Sequence, residues 1–207
     1  MKQVEVSRAT IGRLPIYLEH LNNIRAKAEN ISATALARAL GLGEVQVRKD
    51  LSAVSGAGRP KTGYKVAELI KAIRAFLNMD NRCSVVIIGA GKLGRALLDY
   101  GGFEDYGLEI EAAFDIAVSE KKQSSGGKFI YPMSCFAEFC KQKNVKIGII
   151  TVPKECAQET SDLLVESGVK AIWCFAPCSL SVPEGVAVQY ENMALSLAFL
   201  NKKTENI

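Results

Sequence analysis

Histidine is almost missing from this 207-residue sequence, with His20 its single copy. No Cys-x-x-Cys pair occurs among the six cysteines (83, 135, 140, 156, 174 and 178), and His20 lies far from all of them. Zinc-ligand spacing is therefore absent and no metal is expected. No apolar run reaches the length of a membrane span, and the opening Met-Lys-Gln-Val-Glu lacks the apolar core of a signal peptide. A cytoplasmic protein with reduced thiols is the expectation, with a redox-active Cys174 and Cys178 pair as the alternative. Internal repeats and low-complexity tracts are also absent.

What is present is enough apolar residue, 48%, for a sizeable core. The net charge of +4 is unevenly shared. Residues 1–80 carry 13 Lys and Arg against 7 Asp and Glu, whereas residues 81–207 carry 13 against 15. A basic front on a slightly acidic body suits an anionic partner for the front.

The central stretch is Cys83-Ser-Val-Val-Ile-Ile-Gly89-Ala-Gly91-Lys-Leu-Gly94-Arg95. A β-branched apolar run ends in Gly-x-Gly-x-x-Gly and Ala96, Leu97 and Leu98 continue as a helix, the context a dinucleotide fingerprint requires. Gly89 permits the turn, Gly91 lets backbone approach a pyrophosphate, and Gly94 lets helix and strand pack closely. Helix N-terminal N–H groups hold the phosphates. Asp115 ends a second apolar run, Ile110–Phe114, where its carboxylate accepts from a ribose 2′-hydroxyl and repels a 2′-phosphate. The plain alternative is an ordinary strand–helix turn.

In chain order, residues 1–13 read as a short polar lead. Leu14, Tyr17, Leu18, Leu21, Ile24 and Ala28 then form one helical stripe, with Pro15 fitting a first turn. Ser32 caps a second helix, which Gly41 ends, and Gly43 opens a third from Glu44 to Val54. There Val47, Leu51 and Val54 face inward, leaving Gln46, Arg48, Lys49 and Ser52 outward or on the flanks. This is a helix-turn-helix pattern, whose second helix enters the major groove. The basic, turn-rich Ser55–Val66 stretch reads as a wing, with Arg59, Lys61 and Tyr64 set against the sugar-phosphate backbone. A small helical bundle with solvated charges is the bland rival. One more helix, Val66 to Leu77, leads to a boundary near residue 80.

Beyond the glycine turn, strands alternate with helices: Ser134 caps a helix to about Lys143, Val145–Val152 is a buried strand, and Ala171–Phe175 another. The fold class is α/β: a winged helix-turn-helix domain (1–80), a Rossmann-like parallel-sheet domain (81–190) and a C-terminal helix (191–207). Ligands of such sheets sit beyond the strand C-termini. The candidate cofactor residues are thus Gly89, Ala90, Gly91, Lys92, Leu93, Gly94, Asp115, Ile116, Thr151, Val152, Pro153, Phe175, Ala176 and Pro177. Asn192–Asn201 is apolar nearly all round and must be buried, in its own sheet or in a second subunit.

The chain resembles the Rex family of redox-sensing transcriptional repressors along nearly its whole length. The resemblance is carried by Ala9–Leu18, Val47-Arg-Lys-Asp-Leu-Ser52, Gly63-Tyr-Lys-Val66, Gly89–Ala96, Phe114-Asp115, Val152-Pro153 with Ala157-Gln158, and Phe175-Ala-Pro177. It implies a homodimer with exchanged C-terminal helices that represses transcription from a palindromic operator. NADH releases the double-stranded DNA and NAD⁺ permits binding. By position, Tyr100 matches the family's tyrosine near the nicotinamide, and Arg13 the arginine linking wing domain and cofactor domain, an interdomain switch. Three positions depart from the family pattern: Pro60 displaces a wing arginine, Ile116-Ala-Val replaces an Asp-Pro, and Ala194 stands where an aspartate partners that arginine. Two rival functions remain. A small NAD-dependent dehydrogenase would need an acid–base constellation, and the cofactor half offers only Lys92, Lys154 and scattered carboxylates. The other is a DNA-binding regulator sensing coenzyme A or another nucleotide, whose phosphate Lys121 and Lys122 could tolerate.

Overall fold

A computed structural model describes residues 6–204, so the Met-Lys-Gln-Val-Glu lead lies outside the described residues. The chain divides into two compact units, 1–81 and 82–207.

The first unit begins with α1 (Arg8–Ile24), which starts earlier than the polar-lead reading expected. Ser7 is the reason: its Oγ accepts from Thr10 N at 3.1 Å and caps the helix. Pro15 therefore lies inside α1 rather than in its first turn. Its cost, roughly 3 kcal/mol, is offset by burying Leu14, Tyr17, Leu18 and Leu21. Ala28 falls beyond the helix. Next come α2 (Ala33–Leu40), capped by Ser32 and closed by left-handed Gly41 at φ 65°, and α3 (Glu44–Ser55). Finally α4 (Val66–Phe76) completes one core with Leu36, Val47, Leu51, Leu69 and Ile73. A strand not expected from the sequence, β1 (Asn30–Ile31), pairs antiparallel with β2 (Tyr64–Lys65) at the base of the wing. Two residues are too few for any period to register. Above it Arg59 and Gly63 form an antiparallel bridge, with Lys61 in the left-handed region at φ 66° between them.

The second unit is a seven-stranded sheet. Its strands are β3 (Cys83–Ile88), β4 (Leu108–Asp115), β5 (Lys122–Gln123), β6 (Phe129–Pro132), β7 (Ile147–Ile150), β8 (Ala171–Cys174) and β9 (Ala187–Tyr190). They lie in the order β5-β6-β4-β3-β7-β8-β9, parallel except for β5. The helices are α5 (Lys92–Leu98), α6 (Phe136–Lys143), α7 (Lys154–Glu166) and α8 (Met193–Thr204). Along β3, Val85 and Ile87 pack into one core while Val86 and Ile88 pack into the other. A strand covered on both faces reads as an unbroken apolar run, which is why Val85–Ile88 shows no alternation. Ser134 is not a cap: it sits in a 3₁₀ turn, Met133–Cys135, and α6 begins after it. The short β5 and β9 were not read from the sequence.

The chain runs from β3 outward to β4 and β6, then returns to β7 on the other side of β3. That reversal opens a crevice beyond the C-termini of β3 and β7. No helix among the described residues is long and apolar enough to cross a membrane. The six cysteines are free thiols. Burial pushes the Cys174 thiol up, which works against a reactive thiolate there.

Candidate functional site

The crevice is a cavity of about 570 Å³ lined by Ile88, Gly89, Gly91, Asp115, Ile116, Met133, Thr151, Val152 and Pro153, and by Cys156, Glu159, Thr160 and Leu163 of α7. Gly89 turns at φ +99°, where a Cβ would press on the Thr151 backbone at 3.0 Å. A Cβ on Gly94 would land on the Gly89 carbonyl oxygen, so strand and helix meet backbone to backbone. Gly91 differs from both, since a Cβ there meets nothing within 4 Å and projects into open space. The first intrahelical bond of α5 runs from Arg95 N to Gly91 O at 3.0 Å. The N–H groups of Lys92, Leu93 and Gly94 precede it, as at any helix start, and suit a phosphate.

Thr151 straps the crevice together, its Oγ1 donating to Gly89 O at 2.7 Å and reaching Ile88 O at 3.1 Å. Arg95 Nε donates to Ala90 O at 2.7 Å. Asp115 accepts from Ala90 N at 2.6 Å through one carboxylate oxygen and from Ala117 N at 2.8 Å through the other. These bonds fix the carboxylate beside the glycine turn, and each oxygen keeps acceptor capacity for a hydroxyl.

Seven of the candidate residues thus line one crevice: Gly89, Gly91, Asp115, Ile116, Thr151, Val152 and Pro153. Ala90 is buried beneath the turn, and Gly94 is buried in the strand–helix contact. Phe175, Ala176 and Pro177 line a second cavity with Tyr190, Glu191, Asn192 and Ala194. Tyr100 is 59% exposed, its ring edge-on to Phe103 at 5.1 Å. Sequence reasoning missed Met133, Cys156, Glu159, Thr160 and Leu163. For the four on α7 the only signal was the helix's amphipathic pattern, which does not say that one edge of the helix walls a cavity, and Met133, in the turn before α6, gave none. Among the described residues no cluster of His, Cys, Asp and Glu could hold a metal.

In the first unit, α3 is tied to α1 by a buried polar knot around Asp50. Arg13 donates through Nε to Asp50 Oδ2 at 2.8 Å and through Nη2 to Oδ1 at 3.0 Å. Tyr17 Oη donates to Oδ2 at 2.7 Å and Thr10 Oγ1 to Oδ1 at 2.9 Å. Burial alone would raise the Asp50 carboxyl, but the bonds from Arg13, Tyr17 and Thr10 outweigh it and hold it below its ordinary value. Tyr17 is pushed up to about 12 by burial and by the Asp50 charge. Arg13 rises through its bond to Asp50. Arg13 is therefore paired within its own unit. Turned with its oxygen inward, the Gln46 amide accepts from Arg13 Nη1 at 2.9 Å. Of the other candidate DNA-facing residues, Arg48, Lys49, Ser52, Arg59 and Lys61 are exposed. Tyr64 is half-buried instead: a Cβ on Gly58 would meet its ring at 2.8 Å, so the ring packs against the wing backbone and the helical core.

A winged helix-turn-helix unit followed in one chain by a doubly wound unit with a nucleotide crevice defines a ligand-responsive transcription regulator. Residues 5–52 match the family model of a putative DNA-binding protein N-terminus, and residues 80–178 that of a CoA binding domain. A redox-sensing transcriptional repressor Rex from Porphyromonas gingivalis is 39% identical over 204 residues, covering 98% of this chain and 94% of the relative. One from Treponema denticola is 40% identical over 205 residues, with 96% and 95% covered. A crystal structure of RSP in complex with β-NAD⁺ and operator DNA superposes with a TM-score of 0.89 at 33% identity, covering 97% of this chain and 93% of that one. RSP with β-NADH gives 0.83 at 31% identity, covering 98% and 96%. The chain belongs to the Rex family of redox-sensing transcriptional repressors. Membership of a family of repressors sets the dehydrogenase reading aside.

Proposed function

We propose that this protein represses transcription by holding a palindromic operator as a homodimer, and that NADH in the crevice releases the DNA while NAD⁺ permits binding. The observation that carries this is the Gly89–Gly94 turn with Asp115 fixed at its side, joined in one chain to an exposed recognition helix. Cofactor contacts are assigned to the seven residues that line the crevice. Phe175–Pro177 and Tyr100 would meet the nicotinamide end. The test is operator affinity measured with NADH, NAD⁺ and coenzyme A added in turn. Release by NADH alone supports the proposal, and release by coenzyme A alone replaces it.

Coenzyme A is the second reading because of the family model that matches residues 80–178. Lys121, which was to tolerate a phosphate, has its Nζ 3.6 Å from the centroid of the Phe129 ring. Asp115 favours a free ribose 2′-hydroxyl. NADH is therefore expected to bind at least about tenfold more tightly than NADPH, since a 2′-phosphate beside a carboxylate costs about 1.4 kcal/mol or more. Equal affinities by calorimetry would remove the ribose role of Asp115.

The dimer reading rests on α8. Met193, Leu195, Leu197, Phe199 and Leu200 are between 57% and 68% exposed in the single chain. Five large apolar side chains on a short helix need cover, and a second copy supplies it with the two-fold symmetry a palindrome demands. Truncation before Asn192 is expected to give monomers or aggregates with little operator affinity. A truncated protein that sediments as a dimer would refute the assignment of residues 191–207.

Arg13 is proposed as the interdomain switch residue on the family resemblance, yet here Asp50 already holds it. By the same resemblance, Ala194→Asp restores the carboxylate that the family places at this position. The variant is expected to lose more operator affinity on adding NADH than the wild type does, by a coupling of roughly 1–3 kcal/mol, with its NADH-free affinity nearly unchanged. A wild-type response that the substitution leaves as it was would place the coupling in other contacts.

A further inference from the structure

We infer that Val45 reads a thymine methyl group in each operator half-site, so that part of the protein's sequence specificity is apolar. The inference rests on the DNA-binding reading above. Val45 lies in the first turn of α3 and is 65% exposed. The inward stripe of α3 is Val47, Asp50 and Leu51, all buried. Val45, Lys49 and Ser52 recur at i, i+4 and i+7, which puts them on one line along the opposite face. All three are exposed.

The neighbours of Val45 in that first turn are occupied. Glu44 Oε2 accepts from Thr34 Oγ1 of α2 at 3.1 Å and lies 4.0 Å from Arg48 Nη2. Gln46, the natural reader of adenine, has its amide oxygen against the Arg13 guanidinium. The N-terminal residues of a recognition helix are the ones that meet base edges. Here the side chain that leads into the groove is therefore Val45. In the major groove, thymine alone presents an apolar group, its C5-methyl, and every other edge feature is a hydrogen-bond donor or acceptor. A valine aimed at a cytosine or adenine amino group would leave that donor dry and unpaired, so it also selects against those bases.

The test takes the full-length protein, enriches a binding duplex from a random pool, and replaces each thymine of that duplex in turn by uracil, which lacks only the methyl. Wild-type and Val45→Ala proteins are titrated against every duplex. Val45→Ala is also checked for an unchanged melting temperature, as expected for an exposed helical site where alanine is the better helix former. One thymine per half-site is expected whose conversion to uracil weakens the wild type roughly fourfold, the worth of one buried methyl group. Val45→Ala, which removes the contact from both half-sites of the dimer, should lose roughly 16-fold on the thymine duplex, the square of the single-thymine effect, and lose nothing further on the uracil duplex. Losses that multiply at every position, or no sensitive thymine at all, would overturn the inference while leaving DNA binding intact. Failure to enrich any duplex would overturn the DNA-binding reading and this inference with it.

Discussion

Gly91→Val is expected to abolish dinucleotide binding in a protein that still folds. A Cβ at Gly91 meets nothing within 4 Å, and its backbone, at φ −68° and ψ −166°, is one that valine adopts. The fold therefore loses only the helix-capping preference of glycine, about 1 kcal/mol. The isopropyl group instead fills the space through which the backbone approaches a pyrophosphate. Affinity for NADH should fall at least about 100-fold, roughly 2.7 kcal/mol. Gly94→Val is the contrasting change. Its Cβ falls on the Gly89 carbonyl oxygen and lies 2.9 Å from Thr151 Oγ1, so α5 must move off the sheet. Backbone offers no side-chain relaxation, and the cost is expected at or above the upper end of overpacking, about 3 kcal/mol. Calorimetry with NADH beside a thermal melt separates the two variants. A Gly91→Val protein that binds NADH like the wild type would show that the phosphates lie elsewhere.

Asp50→Asn should cost the first unit roughly 3 kcal/mol, the lower end of the range for breaking a buried ion pair. The lower end applies because the Arg13 side chain keeps 19% of its exposure while Asp50 keeps 5%. For a unit of this size that is a fall in melting temperature of about 12 °C or more. Operator affinity should fall with it, since this carboxylate is the centre of the polar knot that ties α3 to α1. The pH dependence has a definite sign. The folded carboxyl titrates below its ordinary value, so its contribution is complete above that value and is lost as pH falls through the folded one. The wild type is expected to lose stability below about pH 4, and Asp50→Asn should lack that part of the slope. An unchanged melt of residues 1–81 in Asp50→Asn would mean that the knot contributes nothing to holding α3.

Much of this was legible in the sequence because the patterns were long or carried glycine. Val85–Ile88 with Gly89, Gly91 and Gly94 specified strand, turn and helix together, and Leu14–Leu21 specified α1 despite Pro15. The N-terminus of α1 was missed because Ser7 was not weighed as a cap. Asp50 was visible only as part of the Arg-Lys-Asp-Leu-Ser run. Its inward direction follows from the helical spacing with Val47 and Val54, but a carboxylate on a buried stripe makes sense only once Arg13, Tyr17 and Thr10 are seen to surround it. The α7 wall of the crevice and the split between Thr151–Pro153 and Phe175–Pro177 depend on where neighbouring strands end in space, which no local pattern encodes. The exposed face of α8 was legible as an all-apolar segment, and the single chain leaves that surface uncovered.

The most direct test of a redox-sensing repressor is operator occupancy followed while the NADH/NAD⁺ ratio is varied at constant total nucleotide. Occupancy is expected to fall as the ratio rises, with the same fall at a different total concentration, and Gly91→Val is expected to abolish that fall. Occupancy that ignores the ratio, or that tracks total nucleotide whatever its oxidation state, would contradict redox sensing by this protein.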